Sequence, residues 1–177
     1  MSIFKRVGSI LKSNKQPDQP VKTTNSFEET NLGDILIIDL EEYVVSGKVV
    51  YFDRGFAPHR FAYYLQNGKH ISCLLIEKGR TYECFMLEFV EGSLDDPNDV
   101  PTRLEVGDNL VYELEHYRTD MARTEGNTDF RNNDDLLIWR YFADQDRYFF
   151  LQWQDGKYVA LEGAKIPSGL IQFMKSK

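Results

Sequence analysis

Three histidines and two cysteines are the side chains of this chain best suited to metal or acid–base chemistry. His59, His70 and His116 are far apart, and no His-x-x-x-His or Cys-x-x-Cys spacing occurs. Short metal-binding motifs place two such ligands only a few residues apart, so that both reach one ion. The sequence therefore predicts no metal site and no cofactor, and it assigns the histidines structural or surface roles.

The acidic residues also lack a recognisable catalytic or calcium-binding arrangement. The clusters at 95–99 and 134–135 have neither the alternating acids nor the central glycine and terminal glutamate of an EF-hand loop. The chain contains no Gly-x-Ser-x-Gly, Walker A or Gly-x-Gly-x-x-Gly motif. We therefore predict that the protein is not an enzyme, and we assign no catalytic residues.

The two cysteines lie in apolar segments on either side of Lys78-Gly79. If Lys78 and Gly79 are the two loop residues of a hairpin, the register places Cys73 opposite Cys84, and a cross-strand disulfide is an alternative. In a reducing compartment, buried cysteines usually act as small apolar side chains. We expect two reduced thiols.

The first fifteen residues form a basic, amphipathic segment. They hold four basic and no acidic side chains, while the whole chain has a formal charge of −7, so the remainder carries −11. On a helical wheel the apolar residues share an arc of about 120°, with the basic residues opposite it or at its edges. We predict a helix over 1–15 that binds an anionic membrane surface. Its membrane-binding residues are Ile3, Phe4, Lys5, Arg6, Val7, Ile10, Leu11, Lys12 and Lys15.

The overall composition favours a folded, strand-rich domain. Apolar residues make up 42% of the chain and aromatic residues 14%, which is typical of β-rich globular proteins. A pI near 5.0 argues against nucleic acid as a partner, because phosphates would be repelled. The sequence has no run of 18 apolar residues and no uninterrupted apolar core of a secretory signal. We expect a cytoplasmic protein at the inner face of a membrane.

The rest of the chain divides into a linker and two similar parts. Residues 16–31 are polar and contain two prolines, which predicts a flexible linker. Several residues then recur 74 positions later, and others recur at an offset of 78. Such recurrence predicts a first β repeat over 32–92 and a second over 104–174. The predicted equivalences are Gly33/Gly107, Tyr43/Tyr117 and Tyr63/Tyr141.

Each part has the features of an antiparallel meander. Asn67-Gly68 and Asp155-Gly156 are hairpin signals between apolar runs. The sequence therefore predicts a mainly β fold: an internally duplicated antiparallel β-meander with an N-terminal amphipathic helix. Two tandem small barrels and one sandwich both fit the strand pattern.

Several of these segments resemble a known family. Gly33-Asp34, 43–49 and 61–65 in the first repeat, and 139–144 and 155–158 in the second, are similar to an uncharacterised bacterial domain family of unknown function. Its members are commonly encoded beside phage-shock-protein-A-like membrane-stress proteins. Residues 1–14 also resemble the short membrane-touching helix that opens those proteins. Both resemblances imply a role in bacterial envelope maintenance, and neither implies an enzyme.

These features together predict a non-enzymatic, peripheral membrane-associated adaptor at the bacterial inner membrane. Its β-body would bind protein partners, such as a phage-shock-protein-A-like or other envelope-stress protein. Two alternatives stay open. The protein could be a soluble β-domain whose N-terminal helix docks into a partner protein, or a small hydrolase or lipid-modifying enzyme whose site no motif identifies.

Overall fold

The computed structural model of the protein describes residues 26–107 and 109–176. The predicted membrane-binding helix over 1–15 therefore lies outside the described residues. Within them the chain forms a short helix, α1 (Ser26–Glu29), two short 3₁₀ turns (Pro97–Asp99 and Ser168–Leu170) and eleven β-strands. The prediction of a mainly β protein is confirmed.

The strands are contributed almost equally by the two halves of the chain. Residues before the central linker form β1 (Ile35–Ile38), β2 (Glu41–Phe52), β3 (Arg60–Asn67), β4 (His70–Lys78) and β5 (Tyr82–Val90). Residues after it form β6 (Arg103–Val106), β7 (Leu110–Gly126), β8 (Asp135–Ala143), β9 (Arg147–Gln154), β10 (Lys157–Ile166) and β11 (Ile171–Met174).

Eight of these strands form one closed antiparallel sheet. They pair in the order β2-β3-β4-β5-β10-β9-β8-β7, and β7 pairs back with β2. β5–β10 and β2–β7 are the two pairings of the closed sheet that join the halves of the chain. The other three strands extend the sheet, because β1 pairs with β2 and β11, and β6 pairs with β7.

β2 and β7 each change partner along their length. β2 pairs with β1 up to Val44 and with β7 from Gly47, and its register with β3 shifts between Val45 and Gly47. β7 has a similar register shift against β8, between Leu114 and His116. Such bulges bend a strand and increase its twist. The bends let the first part of each long strand leave the closed sheet and cover its outer surface.

The side chains form three apolar cores. One fills the interior of the closed sheet, and the other two lie outside it, under the β1–β2 and β6–β7 segments. β3 shows how one strand serves two cores: Ala62 and Tyr64 face the interior, while Phe61 and Tyr63 face outward. Because side chains alternate along a strand, a run such as Phe61–Leu65 must be apolar on both faces.

The single closed sheet differs from both predicted arrangements. It is neither two tandem barrels nor a sandwich, because β5–β10 and β2–β7 join the halves. The predicted equivalence of Gly33 and Gly107 is also wrong. Gly33 precedes β1, whereas Gly107 lies between β6 and β7. The offset of 74 therefore aligns different hairpins of the two halves.

The hairpin signals were informative except at one position. Gln154 pairs with Lys157, so Asp155-Gly156 forms the predicted two-residue turn. A hairpin also forms at Asn67-Gly68, but Asn67 pairs with His70, so its two loop residues are Gly68 and Lys69. The turn between β4 and β5 instead has three residues, since Lys78 pairs with Tyr82. The pairing register of β4 with β5 therefore differs from the one that a Lys78-Gly79 turn predicted.

The shifted register separates the two cysteines. Cys73 pairs with Leu87 and faces the interior, while Cys84 pairs with Ile76 and faces an outer core. The suggested Cys73–Cys84 pair is therefore wrong. Both cysteines are free and buried, and burial raises the pKa of both thiols, that of Cys84 to about 11.

Residues 26–31, the last part of the predicted flexible linker, pack on the sheet instead. The Phe27 ring stacks on Tyr82 with ring centroids 4.8 Å apart. Lys48 Nζ donates hydrogen bonds of 2.9 Å to the carbonyl oxygens of Glu28 and Thr30. The apolar Phe27 and these carbonyls hold the segment in place, so a linker can include at most residues 16–25.

Candidate functional site

Charged side chains concentrate at one end of the closed sheet, which we call the charged end. At this end β2 leads into β3 through loop 53–59, and β4 leads into β5. A cleft of about 370 Å³ opens there. It is lined only by charged and histidine side chains: His59, Arg60, Glu77, Lys78, Glu115, His116, Arg118 and Arg140.

Glu77 lies at the centre of this charge network. Its two carboxylate oxygens accept hydrogen bonds from Arg60 Nη2 at 2.7 Å and from Arg140 Nη1. Burial raises the pKa of the Glu77 carboxyl, but the two arginine charges outweigh burial and hold the pKa below its ordinary value. Arg140 also lies 2.8 Å, Nε to Oε2, from Glu115. One carboxylate from the first half thus fixes an arginine from each half.

Both arginines lie against aromatic rings of the interior core. The Arg60 guanidinium lies 5.7 Å from the Tyr51 ring centroid and 5.8 Å from that of Phe150. The Arg140 guanidinium lies 4.9 Å from the ring centroid of Tyr148. Such stacking suits the planar, weakly hydrated guanidinium. The arginines therefore cover the interior core at this end, and Arg60 is only 3% exposed.

A second cluster adjoins the cleft, where β2 meets β7. His59 Nε2 lies 3.0 Å from Asp120 Oδ1. Arg118 bridges the carboxylates of Asp53 and Asp120 at 2.9 and 2.8 Å. Burial raises the pKa of Asp120, but the hydrogen bond and charge of His59 and the charge of Arg118 hold it below its ordinary value.

The opposite end of the closed sheet is covered by an apolar plug. Loop 127–134 follows β7, and its Phe130 belongs to the interior core with 6% exposure. Gln154 holds this loop by accepting from the Arg131 backbone N–H at 2.6 Å and donating to the carbonyls of Arg131 and Asp134. Loop 53–59 at the charged end instead leaves Phe56 74% exposed. The two ends are therefore chemically different surfaces.

A second groove, of about 380 Å³, lies beside loop 127–134. Ile71 and Phe89 form its apolar part. The Tyr64 hydroxyl donates a 3.1 Å hydrogen bond to Asp129 across it. The groove has fewer charged side chains than the cleft at the charged end.

The three histidines, for which the sequence predicted structural or surface roles, lie in different places. His59 and His116 line the cleft, whereas His70 lies 2.7 Å from Glu88 on an exposed surface. The acidic cluster at 95–99 includes Asp96, which caps the turn Pro97–Asp99.

Sequence reasoning missed the residues that organise the charged end. Arg60, Glu77, Arg118, Asp120 and Arg140 were not singled out. Arg140 interrupts the apolar run of β8, and Arg60 immediately precedes that of β3. A buried arginine needs a counter-charge, so these interruptions were a usable signal.

A known protein family matches the part of the chain that forms the closed sheet. Residues 31–168 match a family described as "Domain of unknown function (DUF4178)". The chain belongs to this family. The match runs from before β1 to the end of β10, so the family domain includes the whole closed sheet and the charged end. No curated protein and no solved structure matches the chain.

Membership of this family agrees with the predicted resemblance to an uncharacterised domain. The described part of the chain has no helix with the length and apolar character of a transmembrane span.

Proposed function

We propose that the protein is a non-enzymatic adaptor that residues 1–15 attach to the inner face of an anionic membrane. The observation that carries this proposal is the separation of charge: four basic side chains in the first fifteen residues, and −11 in the rest. An acidic body is repelled by an anionic surface, so attraction to the membrane must come from the basic segment. Its apolar arc supplies the buried contact.

The fold of the body is compatible with such an attachment. Phe27 packs on the sheet, so the folded part begins within α1. Residues 16–25 can span at most about 35 Å when fully extended. A membrane-bound segment 1–15 would therefore keep the body within that distance of the lipid surface.

The charged end is the surface that we propose for the protein partner. Exposed Phe56 lies in the loop beside the cleft, and arginines line the cleft. Aromatic and arginine side chains dominate the binding energy of protein interfaces. The resemblance to proteins encoded beside phage-shock-protein-A-like proteins makes such an envelope-stress protein the partner that we propose.

Vesicle co-sedimentation of the full chain tests the membrane attachment. We expect binding to vesicles that contain an anionic lipid, weaker binding to zwitterionic vesicles, and loss of binding at high salt. Phe4→Glu should abolish binding because it puts a charge in the apolar arc. Equal binding to both kinds of vesicle, or unchanged binding of Phe4→Glu, would contradict the proposal. That result would favour a helix that docks into a partner protein.

Capture of a phage-shock-protein-A-like protein from intact membranes tests the partner surface. Phe56→Ser should reduce capture, whereas Leu40→Ser should not, although Leu40 in the β1–β2 turn is 92% exposed. Equal capture by the two variants would exclude the charged end as the contact surface.

We also propose that the two halves descend from one duplicated five-strand unit. Both halves have a short strand, a long bulged strand and three further strands, and the bulges at 45–47 and 114–116 occupy corresponding places. This correspondence has an offset of 69 at the bulges. An experimental structure in which the two halves superpose with the bulges out of register would contradict it.

A further inference from the structure

We propose that Asp53, His59 and Asp120 form a binding site for a divalent transition-metal ion, with Zn²⁺ as the favoured ion. One ligand atom from each residue lies within 4.8 Å of the others. Such spacing lets all three contact a single ion with modest side-chain adjustment. This inference is independent of membrane attachment.

The fold brings the three residues together from distant positions. Asp53 directly follows β2, and Phe52 pairs with Met121 of β7, so Asp53 lies beside Asp120. The His59 backbone N–H donates a 3.0 Å hydrogen bond to the Tyr51 carbonyl, which returns loop 53–59 to the same place. The site therefore forms only when β2 and β7 close the sheet.

The burial of Asp120 is a second observation that points to a ligand. Asp120 is only 1% exposed, and its Oδ2 is buried without a hydrogen-bond partner among the described residues. A buried carboxylate oxygen without a partner is costly, and native proteins rarely leave one. A metal ion at this oxygen would remove that cost.

Arg118 can orient the two carboxylates and still leave oxygen atoms available to a metal ion. It contacts Oδ2 of Asp53 and Oδ1 of Asp120, so the second oxygen of each carboxylate is outside its contacts. Outer hydrogen bonds of this kind commonly hold ligating carboxylates in metal sites. The two aspartates and Arg118 together leave one net negative charge, which favours a cation. The nearby Arg60 charge opposes it, so we expect moderate affinity.

The donor set indicates the class of ion. An imidazole with two carboxylates suits Zn²⁺ and related transition metals, whereas Ca²⁺ and Mg²⁺ prefer oxygen ligands alone. The bound ion would tie the loop that carries Phe56 to β7. The position of Phe56 at the charged end would then depend on metal.

Calorimetric titration of the full chain with Zn²⁺, after treatment with a chelator, tests the site. We expect one ion per chain, and an affinity at least about tenfold lower for Asp53→Asn and for His59→Gln. Asp53 has a half-exposed side chain, so its substitution should leave the fold intact. His70→Gln is the matched control, because His70 also lies beside a carboxylate, that of Glu88.

Hydrogen exchange locates the bound ion. Zn²⁺ should slow amide exchange in residues 53–60 and 118–122, and it should not do so in Asp53→Asn. Absence of Zn²⁺ binding by the wild type would overturn the proposal. Undiminished binding by both site variants, or protection centred on His70, would also overturn it, and the cluster would then be an ion-pair network alone.

Discussion

Glu77 determines the charge balance of the charged end, because it contacts two arginines that lie against aromatic rings. Arginine stays protonated even when buried, so placing the Arg60 and Arg140 guanidinium groups beside the interior core is costly without a nearby carboxylate. The pKa of Glu77 lies below its ordinary value for the same reason: burial raises it, and the two arginine charges lower it further than burial raises it. One side chain thus stabilises the contact between strands from both halves of the chain.

Replacing Glu77 by glutamine should destabilise the protein by about 2–4 kcal/mol. The substitution leaves two poorly exposed guanidinium groups without their shared counter-charge, and breaking buried ion pairs costs energies of this order. Urea unfolding measures the change. Glu88→Gln is the control: Glu88 is an exposed residue that pairs with His70, so its loss should cost less than about 1 kcal/mol. Equal stability of the two variants would contradict the role of Glu77.

The low pKa values of Glu77 and Asp120 should make stability depend on pH in the acid range. A carboxyl group with a lower pKa in the folded state binds more protons when unfolded, so stability rises with pH there. The contribution is present above the unfolded values of 4.5 for Glu and 3.8 for Asp, and it is lost as pH falls through the folded values.

Urea unfolding between about pH 3 and 7 measures this dependence. Below about pH 4.5, the free energy of unfolding should fall less steeply in Glu77→Gln than in the wild type. An identical slope in both proteins would show that Glu77 does not titrate with a lowered pKa.

At the scale of single elements, local signals predicted the tight turns, whereas long-range contacts determine which strands pair between the two halves. Asp155-Gly156 specifies a two-residue turn because both residues adopt positive φ, and Gly68 supplies the positive φ of the β3–β4 turn. Lys78-Gly79 lacks that specificity, and one further loop residue changed the register and separated the cysteines.

The charged end could not be predicted in the same way. Glu77 in β4 and Arg140 in β8 are 63 positions apart, and they meet because the β5–β10 and β2–β7 pairings close the sheet. No local pattern specifies which two strands will close the sheet, since every strand presents the same backbone donors and acceptors to a neighbour. The sequence indicated the strands and their turns, and the pairings between the halves required the structure.

Gly163 in β10 should be essential for the β5–β10 pairing. A Cβ atom at this position would lie 2.0 Å from the carbonyl oxygen of Met86 in β5, and a backbone atom cannot easily move. Gly163→Ala should therefore destabilise the protein by about 2–3 kcal/mol or more, as overpacking does. Thermal or urea unfolding measures the loss.

Gly169 provides the control for this substitution, because no atom lies within 4 Å of a Cβ added there. Gly169→Ala should change stability by less than about 1 kcal/mol. If Gly163→Ala is as stable as Gly169→Ala, the close approach of β5 and β10 is wrong.

At the scale of the whole molecule, the chain combines a basic N-terminal segment with an acidic body. The body is one closed sheet whose interior core needs strands from both halves. Its two ends differ, since Phe130 plugs one and ion pairs cover the other. This asymmetry gives the body one end that suits a protein partner, and we propose that residues 1–15 bind the membrane. We propose that basic residues in that segment, and not basic residues in general, attach the protein to the membrane.

A comparison of two charge reversals in vesicle binding tests that claim most directly. Lys5→Glu with Lys12→Glu and Lys69→Glu with Lys157→Glu change the net charge equally. The second pair is exposed on the body, with Lys69 in the β3–β4 turn and Lys157 at the start of β10. Each basic residue near an anionic surface contributes about 1 kcal/mol, so the first pair should reduce binding to anionic vesicles by at least about tenfold. The second pair should reduce it only slightly. Equal binding of the two double variants would contradict attachment through residues 1–15.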